Sequence, residues 1–192
     1  MSVLPITTVG DPVLRRRARE VAPDELGSPE LQSFIDDLVA TKRAAHGAGL
    51  AANQVGDLRR IAVVEVEPDN PRYPYKPAFP LTVLVNPELE PLDGEQIEVN
   101  EGCLSVPDLR GTVPRFAGVR VRFVDRDGEP RELVVRGLTA GTFQHEVDHL
   151  DGVLFLDRVR DPTTFTTWAQ FDRSGRAEFE AYARGVVERF GS

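Results

Sequence analysis

One short segment, His145-Glu146-Val147-Asp148-His149, constrains this chain more than any other part of its sequence. Residues four apart lie on one face of an α-helix, so a helix here lets both imidazoles bind one metal ion. Glu146 is rotated by about 100° from His145, and its long side chain still reaches a water beside the ligands. A metal polarises a carbonyl and lowers the pKa of its bound water, while a nearby carboxylate relays the proton. The segment therefore predicts a metal-dependent hydrolase.

The third metal ligand decides the class of enzyme, and spacing alone leaves it open. The segment continues in the metzincin pattern as far as its last position, which is Phe155 and cannot bind a metal. A downstream carboxylate is one alternative, with Glu178 and Glu180 as candidates. Cys103 is another, because a thiolate binds iron or zinc strongly and leaves a fourth position for water. A Cys–His nucleophilic pair would leave one histidine without a role.

Composition places the chain among ordinary globular proteins. Its 192 residues are 41% hydrophobic and 28% charged, which is enough for a core without disulfides. A net charge of −8 argues against a basic nucleic-acid surface, so we expect no direct DNA binding. With one cysteine, no signal peptide and no long apolar run, the sequence favours a cytoplasmic protein without membrane contact. We expect a single metallohydrolase domain over residues 1–192.

Helix and strand signals do not alternate regularly, which favours an α+β fold. Ser28-Pro29-Glu30 begins an amphipathic helix in the N-terminal half of the chain. Other expected elements are a helix over Thr139–Asp151, a hairpin around Asp125–Gly128 and a C-terminal helix over about 174–190. The expected architecture has small antiparallel sheets packed around a central helix that carries the HExxH motif.

Prolines recur at every third position from Pro68 to Pro80, with Tyr73, Tyr75 and Phe79 between them. Polyproline II has the same period, so the segment could be a docking ligand for a proline-binding module. A stiff surface loop between two strands is the favoured interpretation.

Three segments carry a family resemblance: 47–54 (GAGLAANQ), 101–105 (EGCLS) and 144–149 (QHEVDH). In this order they resemble the three motifs of the peptide deformylase family, and the resemblance runs from about Pro5 to Gly152. It implies hydrolysis of the formyl group from the N-terminal formylmethionine of nascent peptides, with release of formate. It also implies transient contact with the ribosome.

The resemblance assigns a role to each of several residues. Cys103, His145 and His149 would hold one divalent metal ion, Fe²⁺ in the cell, which Zn²⁺, Ni²⁺ or Co²⁺ can replace. Glu146 would be the general base, and the oxyanion would accept hydrogen bonds from Gln54 and the backbone N–H of Leu104. Substrate would contact Gly47, Gly49, Leu50 and Arg115. Glu101 and Arg115 could pair near Cys103 and support the ligands.

Some positions depart from the family, and two other functions stay open. Gly141 and Thr142 stand where bulkier apolar residues are common, and Asn53 stands at a frequent proline. The first alternative function is an HExxH peptidase that cleaves internal bonds. The second is a non-enzymatic partner protein with a structural metal, which His46 would have to complete as a fourth ligand.

Overall fold

The computed structural model describes residues 2–192. Within this range the α-helices are α1 Pro23–Leu26, α2 Pro29–Ala44, α3 Gly137–Leu150, α4 Trp168–Gln170 and α5 Arg176–Phe190. The β-strands are β1 Gly49–Ala51, β2 Ile61–Val66, β3 Phe79–Pro91, β4 Gln96–Cys103, β5 Val106–Phe116, β6 Gly118–Val124, β7 Pro130–Arg136 and β8 Thr166–Thr167. None of the helices within residues 2–192 combines the length and apolar character needed to cross a lipid bilayer.

The strands form two antiparallel sheets. One has five strands in the order β1-β2-β3-β6-β7, and the other has three in the order β4-β5-β8. The β6–β7 hairpin turns at Asp125–Gly128, where the N–H of Gly128 donates to the carbonyl of Asp125 at 3.1 Å and Gly128 has φ +90°. That positive φ suits glycine, and the expected hairpin is confirmed. The small antiparallel sheets of the α+β prediction are likewise present.

Helix α2 begins where its capping residues require. The hydroxyl of Ser28 accepts a hydrogen bond from the N–H of Leu31 at 3.2 Å, and Pro29 occupies the first helical position. Its apolar face packs in a core cluster whose buried members include Leu38, Leu50 and Ile61. This packing holds α2 against the sheet that contains β1 and β2.

Helix α5 begins at Arg176, two residues later than about 174. Residues Phe171–Gly175 form a wider π-helical turn that places the Phe171 ring in the interior. The apolar periodicity of the C-terminal segment does not distinguish this turn from the α-helix that follows it.

Helix α3 contacts strands of both sheets, and every one of its residues except His145 is buried. It begins at Gly137 and ends at Leu150, so it includes both histidines of the HExxH motif. Because both sheets and α5 pack on this helix, side chains from several parts of the chain meet on its surface.

Most of the proline-spaced segment is a loop between β2 and β3, as the loop interpretation expects, and its last two residues, Phe79 and Pro80, begin β3. The loop is not wholly exposed. Tyr73 is buried with Ala48 and Val66 in a small apolar cluster. The Tyr75 ring meets the Phe179 ring edge-on at a centroid distance of 5.0 Å. The segment is therefore anchored to the body of the protein at two aromatic residues.

Candidate metal centre

Three side chains from two elements converge on one point. Cys103 is the last residue of β4, and His145 and His149 lie one turn apart on α3. Their ligand atoms all lie within 4.8 Å of one another, and Cys103 Sγ is 3.1 Å from His149 Nε2. One sulfur and two imidazole nitrogens form a donor set suited to iron or zinc and leave one position of a tetrahedral site open.

Burial favours the metal-binding form of His149. Its desolvated surroundings, and next the neighbouring His145, hold the pKa of His149 well below its usual range. A neutral imidazole offers a lone pair to a metal, whereas a protonated imidazole does not. The carbonyl of His149 accepts a hydrogen bond from the Asn53 amide at 2.5 Å, which ties the end of α3 to the segment after β1.

A series of hydrogen-bonded charged side chains supports the His145 imidazole at its Nδ1 atom. His145 Nδ1 lies 2.8 Å from a carboxylate oxygen of Glu101. Arg115 donates two hydrogen bonds to Glu101, at 2.7 and 2.9 Å, and one to Asp148 at 2.6 Å. Burial opposes the charged form of Glu101, yet Arg115 and His145 hold the pKa of Glu101 below its usual range. A carboxylate in this position fixes the tautomer and orientation of a ligating imidazole.

Glu146 is 3% exposed and lies beside the cluster. Burial raises its pKa to about 7. Its Oε2 atom is enclosed and makes no hydrogen bond within residues 2–192. The carboxyl group thus lines the same cavity as Cys103 and His145, and it forms no ion pair with any of the described residues.

The Gln54 side chain is oriented by a hydrogen bond from the backbone three residues earlier. The N–H of Ala51 donates to Gln54 Oε1 at 2.9 Å, so Nε2 faces the cluster. Nε2 lies 3.1 Å from Ser105 Oγ and 3.6 Å from Cys103 Sγ. An amide N–H donor therefore lies beside the metal-ligand cluster, next to the Cys103 sulfur.

This geometry agrees with what comparison to known proteins reveals. The family model of polypeptide deformylases matches residues 3–165. The chain belongs to the polypeptide deformylase family. Peptide deformylase 2 of Nostoc sp. is 43% identical over 157 residues, which cover 82% of this chain and 86% of the relative.

Solved deformylase structures share the fold. The Met-Ala-Ser-bound class I type b peptide deformylase of Acinetobacter baumannii has a TM-score of 0.79 and 42% identity, covering 83% of this chain and 100% of the other. A peptide deformylase from Synechococcus elongatus in complex with actinonin has a TM-score of 0.74 and 38% identity, covering 84% of this chain and 83% of the other. The predicted family resemblance is confirmed, and the chain is a metal-dependent hydrolase of this family that acts on peptides.

The structure of this deformylase-family chain brings most of the predicted site residues together around one cavity. The predicted site residues that line this cavity are Gly47, Gly49, Gln54, Glu101, Cys103, Leu104, His145 and Glu146. Leu50 is not among them, because its side chain is fully buried in the core beneath β1. Arg115 is 3% exposed, and its guanidinium is occupied by Glu101 and Asp148.

The alternative ligands do not reach the cluster. His46 is exposed and has φ 52°, as the residue that ends the turn after α2. Glu178 and Glu180 lie on α5, and neither lines the cavity that holds Cys103. Within residues 2–192 the metal-ligand grouping is completed by the cysteine.

Sequence reasoning missed four residues of this deformylase-family site. Asp148 lies inside the HExxH segment, and its pairing with Arg115 depends on a contact across 33 residues. Ser105 and Asn53 lie inside the motifs 101–105 and 47–54, but their hydrogen-bond partners are 51 and 96 residues away along the chain. Lys76, from the proline-spaced segment, lines the cavity. Local spacing carried no signal for it, because the loop that delivers it is irregular.

Proposed function

We propose that this chain removes the formyl group from the N-terminal formylmethionine of nascent peptides and releases formate. Family membership supports the reaction. The observation that carries the proposal is that the ligand atoms of Cys103, His145 and His149 lie within 4.8 Å of one another. Glu146 and Gln54 line the same cavity as Cys103 and His145. Such an arrangement suits attack of water on a small amide carbonyl.

We propose that Cys103, His145 and His149 hold one divalent ion, Fe²⁺ in the cell, with Zn²⁺, Ni²⁺ or Co²⁺ as substitutes. The buried sulfur and the two imidazole nitrogens, all within 4.8 Å of one another, are the donor types that these ions prefer. When bound, the ion supplies Lewis acidity toward the carbonyl and lowers the pKa of water.

In this proposal the protein groups divide the remaining work. Glu146 accepts a proton from the attacking water and then passes it to the leaving amine nitrogen. Gln54 and the backbone N–H of Leu104 donate hydrogen bonds to the oxyanion, which stabilises the transition state more than the ground state. The Glu101–Arg115 pair fixes the tautomer and orientation of the His145 imidazole. The backbone of Gly47 and Gly49 lies beside the bound peptide. We assign Arg115 this positioning role rather than a substrate contact, since both ends of its guanidinium are paired.

We further propose that residues 1–192 act as a single catalytic domain built around α3, the helix that carries the HExxH motif. The single cysteine and its role as a metal ligand fit a reducing cytoplasm. Transient ribosome contact is proposed from the substrate, because formylated chains are available where they emerge. Arg176, Arg184 and Arg189 alternate with acidic residues on α5, so binding through that helix should weaken with salt.

The deciding experiment measures metal content and formate release from formyl-Met-Ala-Ser by the protein loaded with iron under anoxic conditions. We expect the products to be formate and intact Met-Ala-Ser. After the metal is removed by a chelator, we expect neither product to form. Internal cleavage without formate would favour a peptidase, and inertness toward the peptide would favour a non-enzymatic role. Cys103→Ala is the matched control, since it removes one proposed ligand and leaves Glu146 and Gln54 in place.

A further inference from the structure

One end of the catalytic cavity is polar because of a side chain from the proline-spaced loop. Lys76 Nζ donates a hydrogen bond to Thr142 Oγ1 at 2.7 Å and lies 5.0 Å from the centre of the Tyr73 ring. Thr142 Oγ1 in turn donates to the carbonyl of Leu138 at 3.2 Å. Lys76 and Thr142 line the same cavity as Glu146. None of the proposed catalytic steps uses this pair.

The Lys76 ammonium keeps donors available for a ligand. Burial lowers its pKa to about 8, so the group is still mostly protonated at neutral pH. An ammonium group has three N–H donors, and Thr142 accepts one of them. A ligand oxygen that reaches this end of the cavity can accept another. Such a bond to a charged donor contributes more than a bond between neutral groups.

The pair lies within reach of the first side chain of a peptide substrate. Thr142 precedes Glu146 by four residues on α3, so the two share a face and are about one 5.4 Å turn apart. The formyl carbon is bonded to the amide nitrogen, and that nitrogen to the Cα that bears the first side chain. With the formyl carbon beside Glu146, an unbranched side chain of methionine length spans the distance to Thr142.

Building on the proposed function, we propose that Lys76 and Thr142 bind an uncharged oxygen acceptor at the end of the substrate's first side chain. Peptides that begin with formylmethionine sulfoxide or with formylglutamine carry such a group. Glu101 and Glu146 line the same cavity, so a carboxylate there would meet like charge. Lys76 is then a specificity-determining residue for the deformylation reaction. An apolar wall would instead penalise the sulfoxide oxygen by leaving it without a partner.

The test compares kcat/KM for formyl-Met-Ala-Ser with kcat/KM for the same peptide carrying either sulfoxide epimer of methionine. In Lys76→Met we expect the ratio of sulfoxide to methionine substrate to fall at least about tenfold, the scale of one hydrogen bond to a charged group. Thr142→Val removes the hydroxyl at nearly constant shape, and the ratio should fall in the same direction. Unchanged ratios in both variants would overturn the proposal and leave Lys76 as a loop anchor.

Arg72→Met is the matched control. Arg72 belongs to the same loop, but its guanidinium lies 4.6 Å from the centre of the Trp168 ring, and the residue does not line the cavity. We expect this variant to keep the wild-type ratio. An equal fall in Arg72→Met and Lys76→Met would show that loop anchoring, and not a bond to the substrate, sets the ratio.

A second measurement does not depend on turnover. Lys42 and Lys76 are the only lysines in the sequence, so the zinc-loaded protein with ¹³C-labelled lysine should give two well-separated sets of Cε signals. Addition of Met-Ala-Ser with an oxidised methionine should shift the Lys76 signal, and unoxidised Met-Ala-Ser should shift it less. Equal shifts would contradict the proposal. Failure to release formate from formyl-Met-Ala-Ser would instead refute the proposed function, which separates the two results.

Discussion

The carboxyl group of Glu146 occupies the space that a side chain on Gly49 would fill. A Cβ atom built on Gly49 would lie 2.3 Å from Glu146 Oε1 and 2.6 Å from its Cγ. Glycine at this position of β1 therefore leaves the space that the carboxyl group of the proposed base occupies. A side chain at Gly47 would also be crowded, but by a different residue, because its Cβ atom would lie 3.0 Å from Leu104 Cδ1.

Gly49→Ala should lower kcat by about 10²-fold, because displacing a catalytic group by an ångström has that scale of effect. Metal content should be unchanged, since the three atoms nearest to the new methyl group all belong to Glu146 and not to a metal ligand. Steady-state kinetics and metal analysis of the purified variant measure both. Gly141→Ala is a control in the same cavity, because a Cβ there would meet Val99 Cγ2 at an ordinary 3.5 Å. Wild-type kcat in Gly49→Ala would show that Glu146 has room to move without cost.

Glu146→Gln should leave the metal bound and nearly abolish turnover. Glutamine keeps the shape and reach of the side chain but cannot accept a proton, and loss of a general base typically costs about 10²–10⁴ in rate. The measurement is formate release per metal-loaded site. Full activity would contradict the assignment of Glu146 as the general base. Loss of metal would mean that the Glu146 carboxylate is needed for metal binding.

Gln54→Ala should lower kcat more than it raises KM. The amide donor is fixed by the bond from Ala51 and faces the cluster, so it should favour the oxyanion over the resting carbonyl. Removing one such donor costs about 3–4 kcal/mol where it has been measured. A variant with unchanged kcat and a higher KM would show that Gln54 binds the ground state and the transition state equally.

Glu65 should contribute pH-dependent stability away from the catalytic cavity. Its carboxylate accepts hydrogen bonds from Arg43 and pairs with the fully buried Lys42 at 2.7 Å. The hydrogen bonds from Arg43, and to a smaller extent Lys42, lower the pKa of Glu65 from 4.5 to about 2 against the opposing effect of burial. Because the folded-state pKa is the lower one, the stabilisation is complete above pH 4.5 and is lost as the pH falls toward 2.

Glu65→Gln should therefore lower the free energy of unfolding by about 3–5 kcal/mol at pH 7, since Lys42 is left buried without its countercharge. The difference from wild type should shrink below pH 4.5, as urea denaturation at several pH values would measure. Glu132→Gln is the control, because Glu132 pairs with Arg122 on an exposed surface where such pairs contribute about 0–1 kcal/mol. A difference that did not change with pH would rule out the ion pair as its source.

Protein loaded with ferrous iron should be active without oxygen and lose activity in air. Oxygen that reaches the open side of the site can oxidise the iron, and the Cys103 sulfur can be converted to sulfenic and sulfinic acid. Zinc has no redox chemistry, so exchange of the iron for zinc or nickel should protect the protein, and we expect lower turnover with zinc. Mass spectrometry should find added oxygen on the Cys103 peptide. Met1, outside the described residues, is the only methionine and serves as an internal control. Stable activity with unmodified Cys103 would count against an open iron–thiolate site.

The sequence alone determined the parts of this protein that local chemistry encodes. The four-residue spacing of His145 and His149 predicted a helix with both imidazoles on one face. Ser28 and Pro29 predicted where α2 begins, and the three motifs together predicted the family. The two helix predictions follow from neighbours within a few residues, where backbone geometry fixes the relation between side chains. The family prediction follows from a resemblance carried by the segments 47–54, 101–105 and 144–149.

Only the tertiary structure decided which distant groups meet. Cys103 joins the histidines from 42 to 46 residues away along the chain, Arg115 is held between Glu101 and Asp148, and Lys76 enters the cavity from an irregular loop. Leu50 stands inside a motif, yet its side chain is in the core, because alternate residues of a strand point to opposite faces. Contacts of this kind depend on how sheets and helices pack, and residue spacing along the chain carries no record of that packing.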